Sequence, residues 1–256
     1  MAHPLLVASR MNVSLFQAAA GMNASSRWQE IIAQNMAAGQ APGYKRQDAN
    51  FESIAAGLIP VASAGGSHYV LPRVTSTTNF APGALRSTGG NTDLAIDGGG
   101  FFAVQLPSGD VGYTRDGEFH RNASGQLVTK NGYAVLGDNG PIQLDANGPD
   151  VTISNTGEIT QGLDQRGKIR IVEFSDTQLL TDAGGGFFLA KNPALKTADA
   201  ASPSIRQGFL ELANGNSVSE MAQMVSSLRM FEMNQRVVQS QDERMGKTIS
   251  ELTSNT

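Results

Sequence analysis

The residues best suited to chemistry in this chain are a glycine run, a pair of aspartates and three histidines, and each set fails on its surroundings. Gly98, Gly100 and Ala103 have the spacing of a dinucleotide fingerprint, and Asp116 lies at about the expected distance further on. That mechanism requires a helix N-terminus directly after the glycines to hold the pyrophosphate. Here Phe101 to Leu106 are strand formers that end at Pro107-Ser108-Gly109, so the run reads as a glycine turn between strands. Asp93-Leu94-Ala95-Ile96-Asp97-Gly98 has the opening of a calcium loop, but Ala95 occupies the middle ligand position and Val104 the terminal bidentate one. Asp93 and Asp97 therefore read as turn caps around a short apolar strand. His3, His68 and His120 lie far apart without metal-type spacing. The chain has no cysteine, which excludes a disulfide framework, a thiolate nucleophile and any Cys-based zinc site. No Gly-x-Ser-x-Gly elbow or phosphate-binding loop occurs. No catalytic, cofactor-binding or metal residue is assigned, and the chain is read as not an enzyme.

Charge and hydropathy narrow the partners. The 19 Lys+Arg and 23 Asp+Glu give a formal net charge of -4, with neither sign gathered into a block, so a nucleic-acid backbone is not an expected ligand. No apolar run is long enough for a membrane span. The N-terminal Pro4-Leu5-Leu6-Val7-Ala8 is too short for a secretory signal, and Arg10 interrupts it, so export, if any, is expected without a cleaved signal peptide. The 29 glycines, set against few aromatics, indicate many tight turns between short strands.

Two amphipathic helices are expected to frame that strand-rich region. Over 9–39 the chain is rich in Ala, Gln and Met with no proline, and Met11, Leu15, Ala18, Met22, Ser25, Gln29, Ile32 and Met36 fall at alternating spacings of four and three. Polar Ser25 and Gln29 weaken that seam, and Pro42-Gly43 ends the helix. Over 217–252, Met221, Met224, Leu228, Phe231, Val238, Met245, Ile249 and Leu252 occupy a and d positions of one heptad register, with Gln235 and Asp242 in the remaining a positions. Such a helix would run about 54 Å, more than a compact body needs to cover itself, so it calls for a partner along its length.

Between the helices the period changes to that of strands. Leu94–Ile96, Phe101–Val104, 126–129, 133–136, Val151–Ile153 and 169–172 are short β-prone runs, punctuated by Asn131-Gly132, Asp116-Gly117 and Asn139-Gly140. The fold class is α+β, mainly β, with long terminal helices forming a coiled-coil assembly core around a β-rich middle domain. The expected division is 1–46 for the first helix and its turn, 47–90 for an extended connector, 91–190 for the β-rich domain, 191–216 for a second connector and 217–256 for the last helix. Both connectors are rich in Ala, Ser, Thr, Pro and Gly and are expected to hold little regular structure.

The motifs now assembled resemble the flagellar rod and hook proteins, and specifically basal-body rod proteins of the FlgF/FlgG type. The signature after the first helix, Asn-Leu-Ala-Asn-x-x-Thr-x-Gly-Phe-Lys, is approximated by Asn35-Met36-Ala37-Ala38-Gly39-Gln40-Ala41-Pro42-Gly43-Tyr44-Lys45. Ala38 and Ala41 replace its second Asn and its Thr, so turn contacts from those side chains are not expected; Asn35, Gly43, Tyr44 and Lys45 keep the motif. Asp93-Leu94-Ala95-Ile96-Asp97-Gly98-Gly99-Gly100-Phe101-Phe102, Tyr113-Thr114-Arg115-Asp116-Gly117-Glu118-Phe119 and Gly125-Gln126-Leu127-Val128 follow in the family's order. Gln207-Gly208-Phe209-Leu210-Glu211 with Asn214, and Arg229-Met230-Phe231-Glu232-Met233, continue it, while residues 1–10 look like an extension.

The resemblance implies a structural subunit of a helical tube in the cell envelope, transmitting torque from motor to hook. It implies copies of itself and other rod proteins as partners, the flagellar type III export apparatus as its route, a place in the rod across the periplasm, and no cofactor. The assembly interface is assigned to Leu15, Met22, Ile32, Met36, Met221, Met224, Leu228, Phe231, Val238, Met245, Ile249 and Leu252. Phe231-Glu232-Met233 and Gly140-Pro141-Ile142 look more like the proximal rod protein, and Lys45-Arg46-Gln47 with Phe51-Glu52 like the distal one, with the balance on the proximal side. Two other readings stay open at this point: a ligand-binding or enzymatic β domain with helical dimerisation ends, which a convergent polar cluster in a closed pocket would favour, and a surface adhesin with coiled-coil ends.

Overall fold

The computed structural model of the chain describes residues 4–59, 67–145, 148–200 and 204–254. His3, and the side chains of Met11, His68 and Leu252, lie outside the described residues. Two helices carry the termini: α1 (Pro4–Ala38) and α2 (Ser217–Ser254). Helix α1 begins inside the stretch read as an extension, with Pro4 in the first turn, where a missing N–H is no loss. Asn216 caps α2, its Oδ1 accepting from Val218 N at 2.9 Å and Ser219 N at 3.4 Å.

The chain divides into two compact units. The first comprises Met1–Ala37, Gln47–Thr77 and Asn216–Thr256. Within it β1 (Gln47–Ile59) and β2 (Ser67–Thr78) pair as a two-stranded sheet in the stretch expected to be a connector. The alanine- and glycine-rich sequence has little intrinsic β preference; tertiary packing supplies it, with Ala49 and Val74 against Ala24 and Ile31 of α1, and Phe51 edge-on to Trp28 at 5.2 Å. The two helices run in opposite directions, since Gly21 meets Asn234 while Asn35, later in α1, meets Glu220, earlier in α2. A Cβ on Gly21 would lie 2.8 Å from the Asn234 amide, so glycine permits this approach.

The second unit comprises Ala38–Arg46 and Thr78–Gly215. Its main sheet is built on Phe101–Gln105, which pairs along one edge with Val111–Thr114 and shares the other between Ile171–Phe174 and Ala134–Gly137. A separate three-stranded sheet runs Val151–Ile153, Glu158–Gln161, Asp164–Lys168. One continuous core collects Leu94, Phe102, Val104, Leu127, Val135, Ile159 and Ile169 among others, all almost fully buried. The glycine run Gly98-Gly99-Gly100 leads into strand Phe101–Gln105, as the turn reading expected. Asn131-Gly132 and Asn139-Gly140 place their glycines at positive φ, but Asp116-Gly117 does not. Instead the Leu94 carbonyl oxygen would sit 1.8 Å from a Cβ on Gly117, so that glycine serves a close approach. The second expected connector also carries strands: Ile205–Gln207 pairs with Leu94–Ile96, and Phe209–Glu211 with Leu85–Ser87. These three-residue strands are fixed by partners more than a hundred positions away, which no local period can announce.

Candidate assembly surface and a buried ionic anchor

The family turn motif has a specific structural task at each kept position. Asn35 is buried and grips the backbone of Gln47 from both sides, Nδ2 donating to its O at 2.8 Å and Oδ1 accepting from its N at 2.9 Å. Its Nδ2 also lies 3.4 Å from Glu220 Oε2 in the first turn of α2, so one side chain joins the end of α1, the start of β1 and the start of α2. The two alanine replacements leave the turn intact because the backbone makes it: Ala41 N donates to Ala38 O at 2.9 Å, and Tyr44 N to Ala41 O at 3.3 Å. Tyr44 is half-buried, and its carbonyl accepts from Asn214 N.

Gly43 and Lys45 lead to a constellation that no single motif reveals. Gly43 has φ +66, and a Cβ there would lie 2.2 Å from the Arg115 carbonyl carbon and the Asp116 nitrogen; only glycine satisfies both demands. Its N–H donates to Glu211 O at 2.7 Å. From the same stretch Lys45 Nζ reaches Glu211 Oε1 at 2.6 Å and the Ala81 carbonyl at 2.9 Å. The other carboxylate oxygen of Glu211 faces Arg115 Nη1 at 3.3 Å, and Gly83 N donates to Oε1 at 2.8 Å. Arg115 also donates through Nη1 to the Ile96 carbonyl and through Nη2 to that of Gly98, and it lies over the Phe101 ring. The side chains of Lys45 and Glu211 are 1% exposed and that of Arg115 is 6%.

Three motif blocks, Gly-Tyr-Lys, Tyr-Thr-Arg-Asp-Gly and Gln-Gly-Phe-Leu-Glu, thus converge on one dry ionic cluster of two cations and one anion. Burial holds the Lys45 ammonium below its ordinary pKa even against the attraction of Glu211, and burial likewise lowers Arg115. Around Lys45 and Glu211 the cluster is closed by protein groups and holds the chain's crossings in register. Arg115 and Glu211 escaped assignment as site residues on sequence. Nothing local marks them, since charged neighbours such as Asp116, Glu118 and Arg46 stand in the same blocks.

The proposed seam residues divide into two sets. On α1, Ile32 is fully buried, Ala18 and Ser25 are buried, and Leu15, Met22 and Met36 are half-buried. On α2 the heptad register splits by column. The d residues Met224, Phe231, Val238 and Met245 are half-buried. Residues one further turn round on that side, Glu220 and Ser227, are buried, and Asn234 meets Gly21. The a residues Met221, Leu228, Gln235, Asp242 and Ile249 are all exposed. Val218 and Val225 join Met221 and Leu228 in an exposed apolar stripe at 3-4-3 spacing. Met230, Met233 and Val237 form a second exposed group.

Comparison with known proteins bears on what such a surface serves. Residues 95–161 match the model of the flagellar hook protein FlgE/F/G D1 domain, and residues 206–251 that of the flagellar basal body rod FlgEFG protein C-terminal region. The chain is 30% identical over 261 residues to the flagellar basal-body rod protein FlgG of Buchnera aphidicola subsp. Acyrthosiphon pisum, covering 93% of this chain and 99% of that one. It is 30% identical over 267 residues to FlgG of Caulobacter vibrioides, covering 92% and 97%. FlgF of Caulobacter vibrioides is 35% identical over 207 residues, covering 79% of this chain and 82% of its own.

Proposed function

Since the chain belongs to the flagellar basal-body rod protein family and is a structural subunit of the flagellar rod, not an enzyme, we propose that α2 joins it to neighbouring subunits through its exposed a column. The observation that carries this is the column itself. Every a position of the heptad register with a described side chain faces outward in the single chain, and exposed Val218 and Val225 flank Met221 and Leu228 of that column. Exposed apolar stripes of this kind mark interaction surfaces. At 3.6 residues per turn, Met230, Met233 and Val237 point about 130° away from that stripe. Two separate apolar faces suit contacts with two neighbours, hence an open helical array in place of a closed pair.

In this reading the paired terminal helices form the core of the tube, with neighbours drawn from copies of this chain and other rod proteins, and the rod transmits torque across the periplasm after export through the type III apparatus without a cleaved signal. The proximal position is kept as the preferred one, on the strength of Phe231-Glu232-Met233 and Gly140-Pro141-Ile142. Phe231 is half-buried against its own chain, so Leu228 is the cleaner probe of assembly. Leu228→Asp should leave the thermal transition of the free chain unchanged and sharply reduce its recovery in purified basal bodies, because a carboxylate at a packed site must be desolvated. Normal recovery would remove the a column from the interface.

A further inference from the structure

On the face of the main sheet away from the principal core lies a second, purely aromatic cluster. Phe80, Phe101, Phe174 and Phe188 meet edge-on, with ring centroids 5.0–6.1 Å apart. Phe80, Phe101 and Phe174 wall a cleft of about 400 Å³ whose other lining includes Gly98, Gly99 and Gly100. A Cβ at Gly98 would meet nothing within 4 Å, and one at Gly99 only the Glu173 carboxylate at 3.5 Å, so the glycines leave space open. Two charged groups line the same cleft. Arg115 is one, and its buried Nε has no hydrogen-bond partner among the described residues, while Nη1 donates to Glu211 and Ile96 and Nη2 to Gly98. Exposed Glu173 is the other.

The same unit carries a shape that matches. Gln161 and Asp164 are paired, so Gly162-Leu163 is the two-residue turn of a hairpin, with Gly162 at φ +63. Leu163 at its tip is 104% exposed, the most exposed large apolar side chain among those described. Asp164 beside it is mostly exposed and pairs at 3.2 Å with Arg166 on the same strand, whose guanidinium also lies 3.8 Å from Asp145. The cleft therefore offers aromatic walls, an unfilled guanidinium N–H and a carboxylate. The tip offers a bare leucine beside an Asp164–Arg166 ion pair whose two members can exchange each other for the cleft's guanidinium and carboxylate.

Resting on the rod-subunit reading, we propose that Leu163 of one subunit inserts into the aromatic cleft of the next copy of this chain, with Asp164 toward Arg115 Nε and Arg166 toward Glu173. Knob and cleft are different surfaces of one unit, so the contact is heterologous: each subunit gives a knob and receives one, and the series stays open along the rod. It is a second contact, independent of α2.

The absence of native cysteine makes a direct test available. Gly99→Cys and Leu163→Cys put thiols in the open cleft and on the tip. In basal bodies from cells producing the double variant as their only copy, mild oxidation should give a ladder of covalent multimers. A mixture of the two single variants should stop at dimers, and each single variant should give neither. Leu163→Asp should lower recovery in basal bodies about tenfold or more, the scale expected when one buried leucine contact is lost. Arg166→Glu should also lower it, and adding Glu173→Arg should restore it. Double-cysteine protein that is incorporated normally but yields no ladder overturns the contact while leaving the rod assignment standing. Failure of the unmutated chain to enter basal bodies at all would instead strike the assignment.

Discussion

Replacing Glu211 by glutamine is the sharpest perturbation of the strand-rich unit. The change keeps shape but removes the one negative charge between Lys45 Nζ at 2.6 Å and Arg115 Nη1 at 3.3 Å, all three side chains being nearly inaccessible. The new amide nitrogen, facing Arg115, sets donor against donor, and the two buried cations keep only neutral acceptors: the amide oxygen opposite Lys45 and the carbonyls of Ala81, Ile96 and Gly98. Removing one partner of a buried ion pair costs about 3–5 kcal/mol, a large share of the roughly 5–15 kcal/mol that a domain possesses. With a urea slope of about 1–3 kcal/mol/M, the unfolding midpoint should fall by roughly 1–5 M. Circular dichroism of the strands reads the body that contains the cluster. Trp28, the only tryptophan and a member of the other unit, reports separately by fluorescence. The expected result is a large drop in the strand transition. A loss below about 1 kcal/mol would mean that the cluster is solvated and does not anchor the crossings.

Two further outcomes follow from the same residues. Gly43→Ala should cost at least about 3 kcal/mol, since strain at positive φ of roughly 1–3 kcal/mol is joined by a Cβ 2.2 Å from Arg115 and Asp116 backbone; Gly132→Ala, at φ +82 in open space, should cost only about 1–2 kcal/mol, and equal losses in urea titration would refute the packing argument. Because burial lowers Lys45 below 10.5, the unfolded chain binds a proton there that the folded chain releases, so this group makes stability rise with pH in the window just under 10.5. Lys45→Met should flatten that rise, and an unchanged slope would refute it; Tyr113, raised above 10.0 by burial, acts oppositely and only above that value.

The helices were legible because each is long and its apolar spacing repeats. So were the strands around Phe101, Val128 and Val135, where glycine turns bound β-branched and aromatic runs. The hairpin over Gln47–Ile59 and Ser67–Thr78 was not, because its Ala, Ser and Gly have weak β preference and fold on α1 through Trp28, Ala24 and Ile31. The ionic cluster was invisible for another reason. Lys45, Arg115 and Glu211 stand far apart in sequence, and only the crossing of Gly43 over Arg115 brings them together. The heptad register was visible in α2, but not its division into a half-buried d column and an outward a column, which depends on the small face of α1 around Gly21 and Ser25.

The assembly role of α2 is tested most directly by the accessibility of its a column in the free and assembled states. Leu228→Cys would be the only thiol in the chain, and its rate of reaction with a maleimide can be measured on purified protein and on basal bodies, with Gly109→Cys, at an open turn, as the exposed control. The account predicts fast labelling of Cys-substituted position 228 in the free chain and at least tenfold slower labelling in the rod, while position 109 stays reactive in the free chain. Equal rates at position 228 in both states would contradict it.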